Sequence, residues 1–568
     1  MNARFILCLC VLSAIIRPVD SNAQWNPHGN TLSAALGTQT DPAAVSDGAG
    51  GAFVVWADNR SGTWDIYAHR VSGSGVLHWP VPQNGTAVRT GLNDQTDPQI
   101  ISDGAGGAII VWVHQGNNGK TDIYAQRLDE TGDFQWGVDG VALCSAQHDQ
   151  HSPAVVSDGA GGAIVTWQDL RSDGSNMEAD IYVRRINSGG TPQWTSDGVP
   201  ICTAVNAQTA PQLVEDGLGG AIITWSDQRT EVVQTDIYAQ RVNSAGSVQW
   251  SVDGVALCTA SDSQNAVAIT TDGAGGAIAT WTDNRTAVTD IYAQRVNPSG
   301  VIQWTVNGVA VCAAFESQVE PAIIPDGKGG AIVTWSDSRL FGPLEYDVYA
   351  QRLNSGGASL WAPNGNYVTA VAGAESQIRP IPDGAGGVVM TWIDRRGIDY
   401  DIYAQRLSAG GTAQWTANGV SLCVTTFDQI HPAIVPDGFG GAIVAWSDYR
   451  NGLPDIYANR VSAGGGIPTG VGKTPAMPLM VGNIYPNPFS VATSIEITLG
   501  EEANVNVEVF DVAGRRVRAM NIGRMSAGTT PLAFDGRDER GHRLPSGVYF
   551  YRIHAGSESL TRKLVIQR

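Results

Sequence analysis

With 568 residues the chain is long enough for more than one domain, and its 68 glycines, 27 prolines and few charged residues favour short strands joined by tight turns. Its formal net charge of −19 comes from residues 24–472, where 44 acidic residues outnumber 21 basic ones. This excess argues against nucleic acid as a partner, because phosphate binding needs clustered Lys and Arg.

The first predicted element is a secretory signal peptide. Arg4 precedes an apolar run from Phe5 to Ile16, and small residues lead to Ala23. This pattern predicts a signal peptide over residues 1–23, with cleavage before Gln24. The run is too short to span a bilayer, and no later apolar segment is long enough, so we expect no transmembrane segment in the mature chain.

A unit of roughly 56 residues then recurs eight times. Its most regular marker is D-G-x-G-G, which starts at Asp47, Asp103, Asp158, Asp216, Asp272, Asp326, Asp383 and Asp437. A tryptophan follows in every unit: Trp56, Trp112, Trp167, Trp225, Trp281, Trp335, Trp392 and Trp446. Next come a D-[IV]-Y-x-x-R segment and, after a Gly-containing turn, a second tryptophan. Each unit is therefore predicted to form four short antiparallel strands, which is a propeller blade.

The eighth unit stops after Arg460 without a fourth strand, and the missing pattern stands at the mature amino terminus, with Trp25 in the tryptophan position. We therefore predict an all-β fold with an eight-bladed β-propeller over residues 24–461, closed by its N-terminal strand. The recurrence of the tryptophans indicates packing between blades. An aromatic platform for sugar stacking is the alternative, but a binding site need not recur identically in every blade.

Five cysteines remain after cleavage, each eight residues after the second tryptophan of its blade: Cys144, Cys202, Cys258, Cys312 and Cys423. Equivalent points on packed sheets are about 10 Å apart, too far for a disulfide. We expect free, buried thiols that cannot share a metal. His148 and His151 have ligand-like spacing but lack a third ligand, so a solvated loop is the prediction, and we predict no metal or cofactor.

After a Gly-, Pro- and Thr-rich linker predicted over residues 462–479, alternating apolar strands predict a small β-sandwich over residues 480–568. Its motifs are Tyr485-Pro486-Asn487-Pro488, Gly514-Arg515, Asp535-Gly536, Gly541, Ser546-Gly547-Val548-Tyr549 and Lys563-Leu564. This segment resembles the C-terminal sorting domains of the type IX (Por) secretion system and the related Ig-like domain of flagellar hook-capping proteins.

The resemblance implies recognition by an export machinery and passage through the outer membrane of a Gram-negative-type bacterium. Release and surface attachment are both open, as is removal of the domain. The alternative is an adhesive Ig-like domain without a sorting role.

A candidate site follows from positions that vary between units. A Gln precedes each predicted first strand: Gln39, Gln95, Gln150, Gln208, Gln264, Gln318, Gln377 and Gln429. Two residues later the residue varies: Asp41, Asp97, Ser152, Ala210, Ala266, Glu320, Arg379 and His431. We expect these side chains to ring the mouth of the central channel, with Asp41, Asp97, Glu320, Arg379 and His431 as a polar binding site. The alternative is that they only hydrogen-bond water.

Seven units also carry D-x-R after the first tryptophan, as in Asp227 and Arg229, while the second unit has Val113-His114 there. Recurrence favours structural pairs. The rival interpretation is a carboxylate pair for glycoside hydrolysis, because the arrangement is similar to sialidase-type propellers, although those usually have six blades and use unique residues. The sequence thus predicts a secreted or surface-bound, non-catalytic module for an extracellular glycan or protein, with a polysaccharide-cleaving glycoside hydrolase as the alternative.

Overall fold

The computed structural model describes residues 25–79, 84–231, 233–342, 345–468, 480–485, 489–499, 503–525, 528–555 and 558–567. Within these ranges the chain is all-β apart from one short 3-10 helix, Asn176–Glu178. None of the described helical structure is long and apolar enough to cross a membrane.

The chain divides into two compact units, residues 1–470 and 471–568. The division falls inside the predicted linker, 462–479. Residues 469–479 of that linker and the predicted signal peptide, 1–23, lie outside the described residues.

The first unit is a propeller of eight antiparallel sheets, and in each sheet the strand that begins the unit lies next to the channel and the later strands follow outward. The innermost, first strands are Gln39–Ser46, Gln95–Ser102, Gln150–Ser157, Gln208–Glu215, Gln264–Thr271, Gln318–Pro325, Glu375–Pro382 and Gln429–Pro436. The second strands are Ala52–Asp58, Ala108–Gln115, Ala163–Asp169, Ala221–Glu231, Ala277–Asp283, Ala331–Asp337, Val388–Asp394 and Ala442–Asp448. The third strands are Asp65–Val71, Thr121–Leu128, Asp180–Ile186, Gln234–Val242, Asp290–Val296, Asp347–Leu353, Asp401–Leu407 and Asp455–Val461.

The fourth strands of blades one to seven are Thr86–Arg89, Val141–Cys144, Val199–Cys202 (with Pro192–Gln193 before it), Val255–Cys258, Val309–Cys312, Asn366–Tyr367 and Val420–Cys423. In blade eight this position is filled by Asn30–Ser33, which pairs antiparallel with Asp455–Val461. The predicted eight-bladed ring, closed by its amino-terminal strand, is confirmed.

In each blade the D-G-x-G-G turn joins the first strand to the second. In blade one the Asp47 carboxylate accepts hydrogen bonds from the backbone N–H groups of Ala49 and Gly51 at 2.8 and 2.7 Å. The following Gly48 has φ 71°, which a side chain would disfavour. Asp47 also pairs with Arg70 of the third strand at 3.0 Å, and this Asp–Arg pair recurs in all eight blades. The turn aspartates are therefore structural.

Tryptophans fill the interfaces between blades. The first tryptophan of every blade is fully buried, and burial of one large apolar side chain stabilises the fold by about 1.5–3 kcal/mol. The second tryptophan donates from Nε1 to a backbone carbonyl of the next blade, as Trp136 does to Ser188 at 3.1 Å. Arg127 donates to the same oxygen at 2.9 Å. These contacts support the packing interpretation.

The cysteines are free and buried, as predicted. Each sulfur lies beside an arginine of the neighbouring blade's D-x-R segment, as in Cys202 and Nη2 of Arg229 at 3.1 Å. Blade one has Arg89 where five blades have cysteine, and it pairs with Asp139 of the next blade. Blade two lacks the D-x-R arginine. At the interface between blades one and two the guanidinium is therefore supplied by Arg89 of blade one.

The second unit is a β-sandwich of two sheets. One sheet contains Met480–Tyr485, Thr493–Leu499 and Gly528–Phe534, and the other contains Arg516–Met525, Ala503–Asp511, Gly547–Ala555 and Glu558–Ile566. Its core includes the buried side chains of Phe489, Val507, Phe534, Tyr551 and Leu564. Inward-facing apolar residues alternate with exposed ones along Gly547–Ala555, as expected for a sandwich strand.

Candidate ligand-binding site at the channel mouth

The first strand of each blade contains a β-bulge at the channel mouth. In blade one the pairing shifts register between Thr40 and Ala43, and Asp41 lies inside the shift with φ 53°. Residues other than Gly rarely adopt this left-handed conformation, and it persists only where the surrounding structure holds it. The equivalent residues all have φ between 50° and 55°: Asp41, Asp97, Ser152, Ala210, Ala266, Glu320, Gln377 and His431. The bulges thus present one side chain from each blade around a single opening.

Blade seven differs from the sequence prediction by two residues. Glu375, not Gln377, occupies the buried position at the start of the first strand and pairs with the end of the second strand, as Gln39 does in blade one. The bulge residue is therefore Gln377, and Arg379 lies two residues further along the strand. Aligning Arg379 with Asp41 was wrong because the repeat was aligned on an amide side chain, whereas this blade buries a carboxyl instead.

The Glu375 carboxyl replaces an amide because it stays protonated. Burial raises the pKa of Glu375 to about 9, and the negative charge of Asp394 acts in the same direction. The Thr369 hydroxyl donates to Oε2 of Glu375 at 2.9 Å. At neutral pH the side chain is therefore a neutral hydrogen-bonding group, as Gln is in the other seven blades.

Hydrogen bonds connect the bulge residues of four successive blades into what we call the polar arc: Glu320, Gln377, His431 and Asp41. The backbone N–H of Gln377 donates to Oε2 of Glu320 at 3.3 Å, and the backbone N–H of His431 donates to Oε1 of Gln377 at 2.8 Å. Nδ1 of His431 lies 2.9 Å from Oδ1 of Asp41. The polar arc runs from blade six through the ring closure to blade one. The sequence indicated three of its members and missed Gln377.

A cavity of about 630 Å³, which we call the mouth cavity, opens beside the polar arc. Its lining includes Asp41, Asp97, Ser152, Arg379 and His431, from blades one, two, three, seven and eight. Four of the five predicted site residues therefore border one cavity. Glu320 is not part of the lining and contacts the site through Gln377.

A second ring of side chains lies two residues beyond the bulge along each first strand. In blade seven this residue is Arg379, which is charged. The equivalent positions of the other blades hold short or neutral side chains: Ala43, Gln99, Ala154, Gln212, Ala268, Ala322 and Ala433. Within the described residues, no carboxylate lies within ion-pair distance of the Arg379 guanidinium, whose one hydrogen bond is to the carbonyl of Ile378 at 3.4 Å. The Arg379 side chain is exposed to the channel, and the surrounding protein lowers its pKa by desolvation, opposed by the charge of Glu320.

Asp97 adds a second carboxyl to the mouth cavity. Asp97 is exposed at its bulge, but desolvation by the surrounding protein raises its pKa, and the neighbouring negative charge of Asp41 raises it further, while His151 acts in the opposite direction. The His151 ring also contacts the Ser152 hydroxyl at 3.2 Å. His151 therefore contributes to the electrostatics of the mouth, a role that its spacing from His148 did not indicate.

The repeated D-x-R residues are engaged elsewhere. Asp227 accepts hydrogen bonds from the indole of Trp225 at 2.6 Å and from Nε of Arg229 at 2.9 Å. The Arg229 guanidinium also covers the ring of Tyr238 at 3.8 Å. Equivalent Asp–Arg pairs occur in all seven blades that carry the motif. These carboxylates hold the loops together and are not available as a catalytic pair.

The C-terminal unit matches a known family. Residues 489–559 match the family model of the FlgD Ig-like domain, which confirms the resemblance found in the sequence. No curated protein sequence matches the chain.

Several solved structures resemble the chain at low identity. An ulvan lyase of a polysaccharide lyase family, bound to a sulfated disaccharide repeat, is 11% identical, covers 76% of this chain and 95% of its own, and has a TM-score of 0.42. A protein of unknown function from Dyadobacter fermentans is 13% identical, with coverage of 55% and 94% and a TM-score of 0.33. PorZ, a surface component of the type-IX secretion system of Porphyromonas gingivalis, is 13% identical, with coverage of 94% and 82% and a TM-score of 0.22. At these TM-scores the likeness carries no functional argument.

Proposed function

We propose that the chain is an exported, non-catalytic binding module whose extracellular glycan or protein ligand enters the mouth cavity. The polar arc is the observation that carries this proposal. The bulge residue varies between blades, and in four successive blades the side chain of one bulge residue is bonded to the backbone or side chain of the next, beside a cavity that Asp41 and His431 line. Cavities with a few convergent polar groups are the usual places for small ligands.

The chemistry of the repeat supports binding over catalysis. The repeated aspartates of the D-x-R segments and of the D-G-x-G-G turns are paired with arginines in almost every blade. What remains at the mouth is a small set of unique side chains: Asp41, Asp97, Arg379 and His431. Such a set can orient a ligand by charge and hydrogen bonding.

A second candidate is an extracellular glycoside hydrolase. It is favoured by Asp97, whose carboxyl has a raised pKa beside the carboxylate of Asp41. Glycosidic cleavage usually requires two carboxyl groups, one of which acts as the acid and the other as base or nucleophile. The two functions differ in what Asp97→Asn changes: a hydrolase loses turnover and keeps substrate affinity, whereas a binding module loses affinity and has no turnover.

For delivery, we propose that residues 480–568 act as a sorting domain for a type IX export machinery, leaving the protein secreted or on the outer-membrane surface. The support is the match to the Ig-like family together with the motif Lys563-Leu564 in the strand Glu558–Ile566. A chain that lacks residues 480–568 should accumulate in the periplasm of a host with this machinery. Cell-surface or medium levels equal to those of the full chain would contradict the sorting role.

The binding proposal is tested with the mature chain, residues 24–568, on a glycan array and against purified peptidoglycan and cell-surface protein. His431→Ala should weaken retention of whatever ligand binds by about tenfold or more, because it removes the Asp41 partner from the arc. Gln212→Ala is the matched control, because this residue lies on the first strand of blade four and outside the cavity lining. Ligand binding that survives His431→Ala and Asp41→Asn unchanged would place the site elsewhere.

A further inference from the structure

The mouth cavity contains an arginine and a carboxyl group that are not paired with each other or with another charged side chain among the described residues. Arg379 contributes a guanidinium with no carboxylate at ion-pair distance within the described part of the chain. Asp41 and Asp97, on neighbouring first strands, contribute carboxyls to the same cavity. His431 contacts Asp41 and leaves Asp97 without a cationic side chain at ion-pair distance among the described residues.

From this separation we propose that the ligand of the mouth cavity is a zwitterion, namely a short peptide whose amino and carboxyl termini are both free. This inference rests on the proposed binding function and specifies its ligand. The carboxylate pairs with Arg379, and the ammonium group lies between Asp41 and Asp97.

The Arg379 end is suited to a carboxylate. An arginine keeps its charge even when partly desolvated, and its planar fork of N–H donors matches the two oxygens of a carboxylate. Gln99, at the equivalent strand position of blade two, is exposed and lines the same cavity, so its amide can donate a further hydrogen bond. The remaining blades offer mainly alanine at this depth, which leaves room for the ligand.

The side of the cavity that carries Asp41 and Asp97 is suited to a cation. Two carboxyls in one cavity repel each other when both are ionised, and a bound ammonium group relieves this repulsion. The two ends also differ in depth, because Arg379 lies two residues beyond the bulge along its strand, a rise of about 7 Å. Opposite charges separated by several ångströms are a property of a short peptide.

Ligands with one sign of charge fit less well. A polyanionic glycan would satisfy Arg379 but would approach a propeller whose residues 24–472 carry a net charge of −23, with 44 acidic and 21 basic residues. A polyamine would satisfy the aspartates and leave Arg379 without a partner. The cavity volume of about 630 Å³ is within the range for a small organic ligand.

The test measures binding of trialanine to the mature chain by calorimetry, in four forms: free, N-acetylated, C-amidated and blocked at both ends. The free peptide should bind, and each single block should weaken binding by about tenfold or more. Arg379→Gln should make the free and C-amidated peptides bind alike. Asp97→Asn should reduce the difference between the free and N-acetylated peptides, and the double variant Asp41→Asn/Asp97→Asn should abolish it.

Gln212→Ala serves as the control that keeps both preferences. Arg379→Gln is expected to fold, because blades two and four carry Gln at this position, and a thermal melt verifies it. A doubly blocked peptide that binds as well as the free one, or no peptide binding at millimolar concentration, overturns the zwitterion inference. The inference is also overturned if the Arg379→Gln variant still binds the free peptide more tightly than the C-amidated one.

The two proposals fail in different ways. If an oligosaccharide binds at the mouth and is lost in His431→Ala while trialanine does not bind, the binding function stands and the zwitterion inference is wrong. If neither kind of ligand depends on the mouth residues, both proposals are wrong.

Discussion

The indole of Trp25 and the guanidinium of Arg460 donate hydrogen bonds to one backbone oxygen, the carbonyl of Gly73, at 3.0 and 2.8 Å. Trp25 belongs to the amino-terminal segment, Arg460 to the last blade and Gly73 to the first. The interface between blades two and three has the same arrangement, with Trp136 and Arg127 on one carbonyl. The closure of the ring is therefore built like its internal interfaces, and its strength should match theirs.

Replacing Trp25 tests this closure. Trp25→Ala removes a buried indole and one of the two hydrogen bonds to Gly73, so the free energy of unfolding should fall by about 3–5 kcal/mol. Hydrogen exchange should accelerate in Asp455–Val461, because that strand loses its outer partner. The measurements are denaturant titration and exchange mass spectrometry.

Trp64→Ala is the control for this substitution. Trp64 is the one tryptophan outside the two repeat positions and is half-buried on a loop. Its removal should cost less and leave exchange in blade eight unchanged. Equal losses for the two variants would mean that the amino-terminal strand does not hold the ring closed.

The cysteines should be chemically inert in the folded protein. Burial raises the pKa of Cys144, Cys258, Cys312 and Cys423 to about 12 and raises that of Cys202 as well. Because the thiolate is the reactive form, iodoacetamide at neutral pH should label none of them until the chain is unfolded, when all five react. Ser152→Cys adds an exposed thiol at the mouth and serves as the positive control in mass spectrometry. Labelling of a native cysteine at a comparable rate would contradict the burial.

The sequence was sufficient to predict the ring of blades but not the arrangement of residues at the candidate site. A repeat with two tryptophans identifies equivalent positions, and Trp25 identifies the closing strand, because these features depend on one blade and its neighbour. The mouth instead combines one position from each of several successive blades, and the residue at that position differs from blade to blade. Arg379 was placed at the wrong depth because a buried carboxyl replaced the expected amide, and the bond from His431 to Gln377 has no signature in the repeat.

Glu375 gives a test of that replacement. Its pKa is raised, so the folded state keeps a proton that the unfolded chain loses near pH 4.5, and stability declines as pH rises from there to about 9. Glu375→Gln removes the titrating group and installs the residue of the other blades. At pH 8 the variant should be more stable than the wild type by about 1 kcal/mol or more. The difference should shrink towards pH 5.

The charged side chains around Glu375 must stay unchanged in this experiment, because they also affect its pKa. Asp347 and Asp394 oppose its ionisation, and Arg396 favours it, so neither aspartate should be altered in the same variant. The reciprocal change, Gln318→Glu in blade six, should introduce a new loss of stability between pH 5 and pH 8. If the melting temperatures of the wild type and of Glu375→Gln change with pH by the same amount, Glu375 is ionised in the folded protein.

A wider pH dependence follows from the aspartates that begin the third strands. Burial raises the pKa of Asp180 to about 7 and those of Asp122, Asp347, Asp401 and Asp455 to about 6. The unfolded chain releases these protons near pH 4, so the folded state binds more protons between about pH 4 and pH 7. The free energy of unfolding should therefore fall as pH rises through this window. Asp180→Asn keeps the neutral form at every pH and should reduce this contribution to the slope, whereas a slope equal to that of the wild type would mean that Asp180 is ionised in the folded ring.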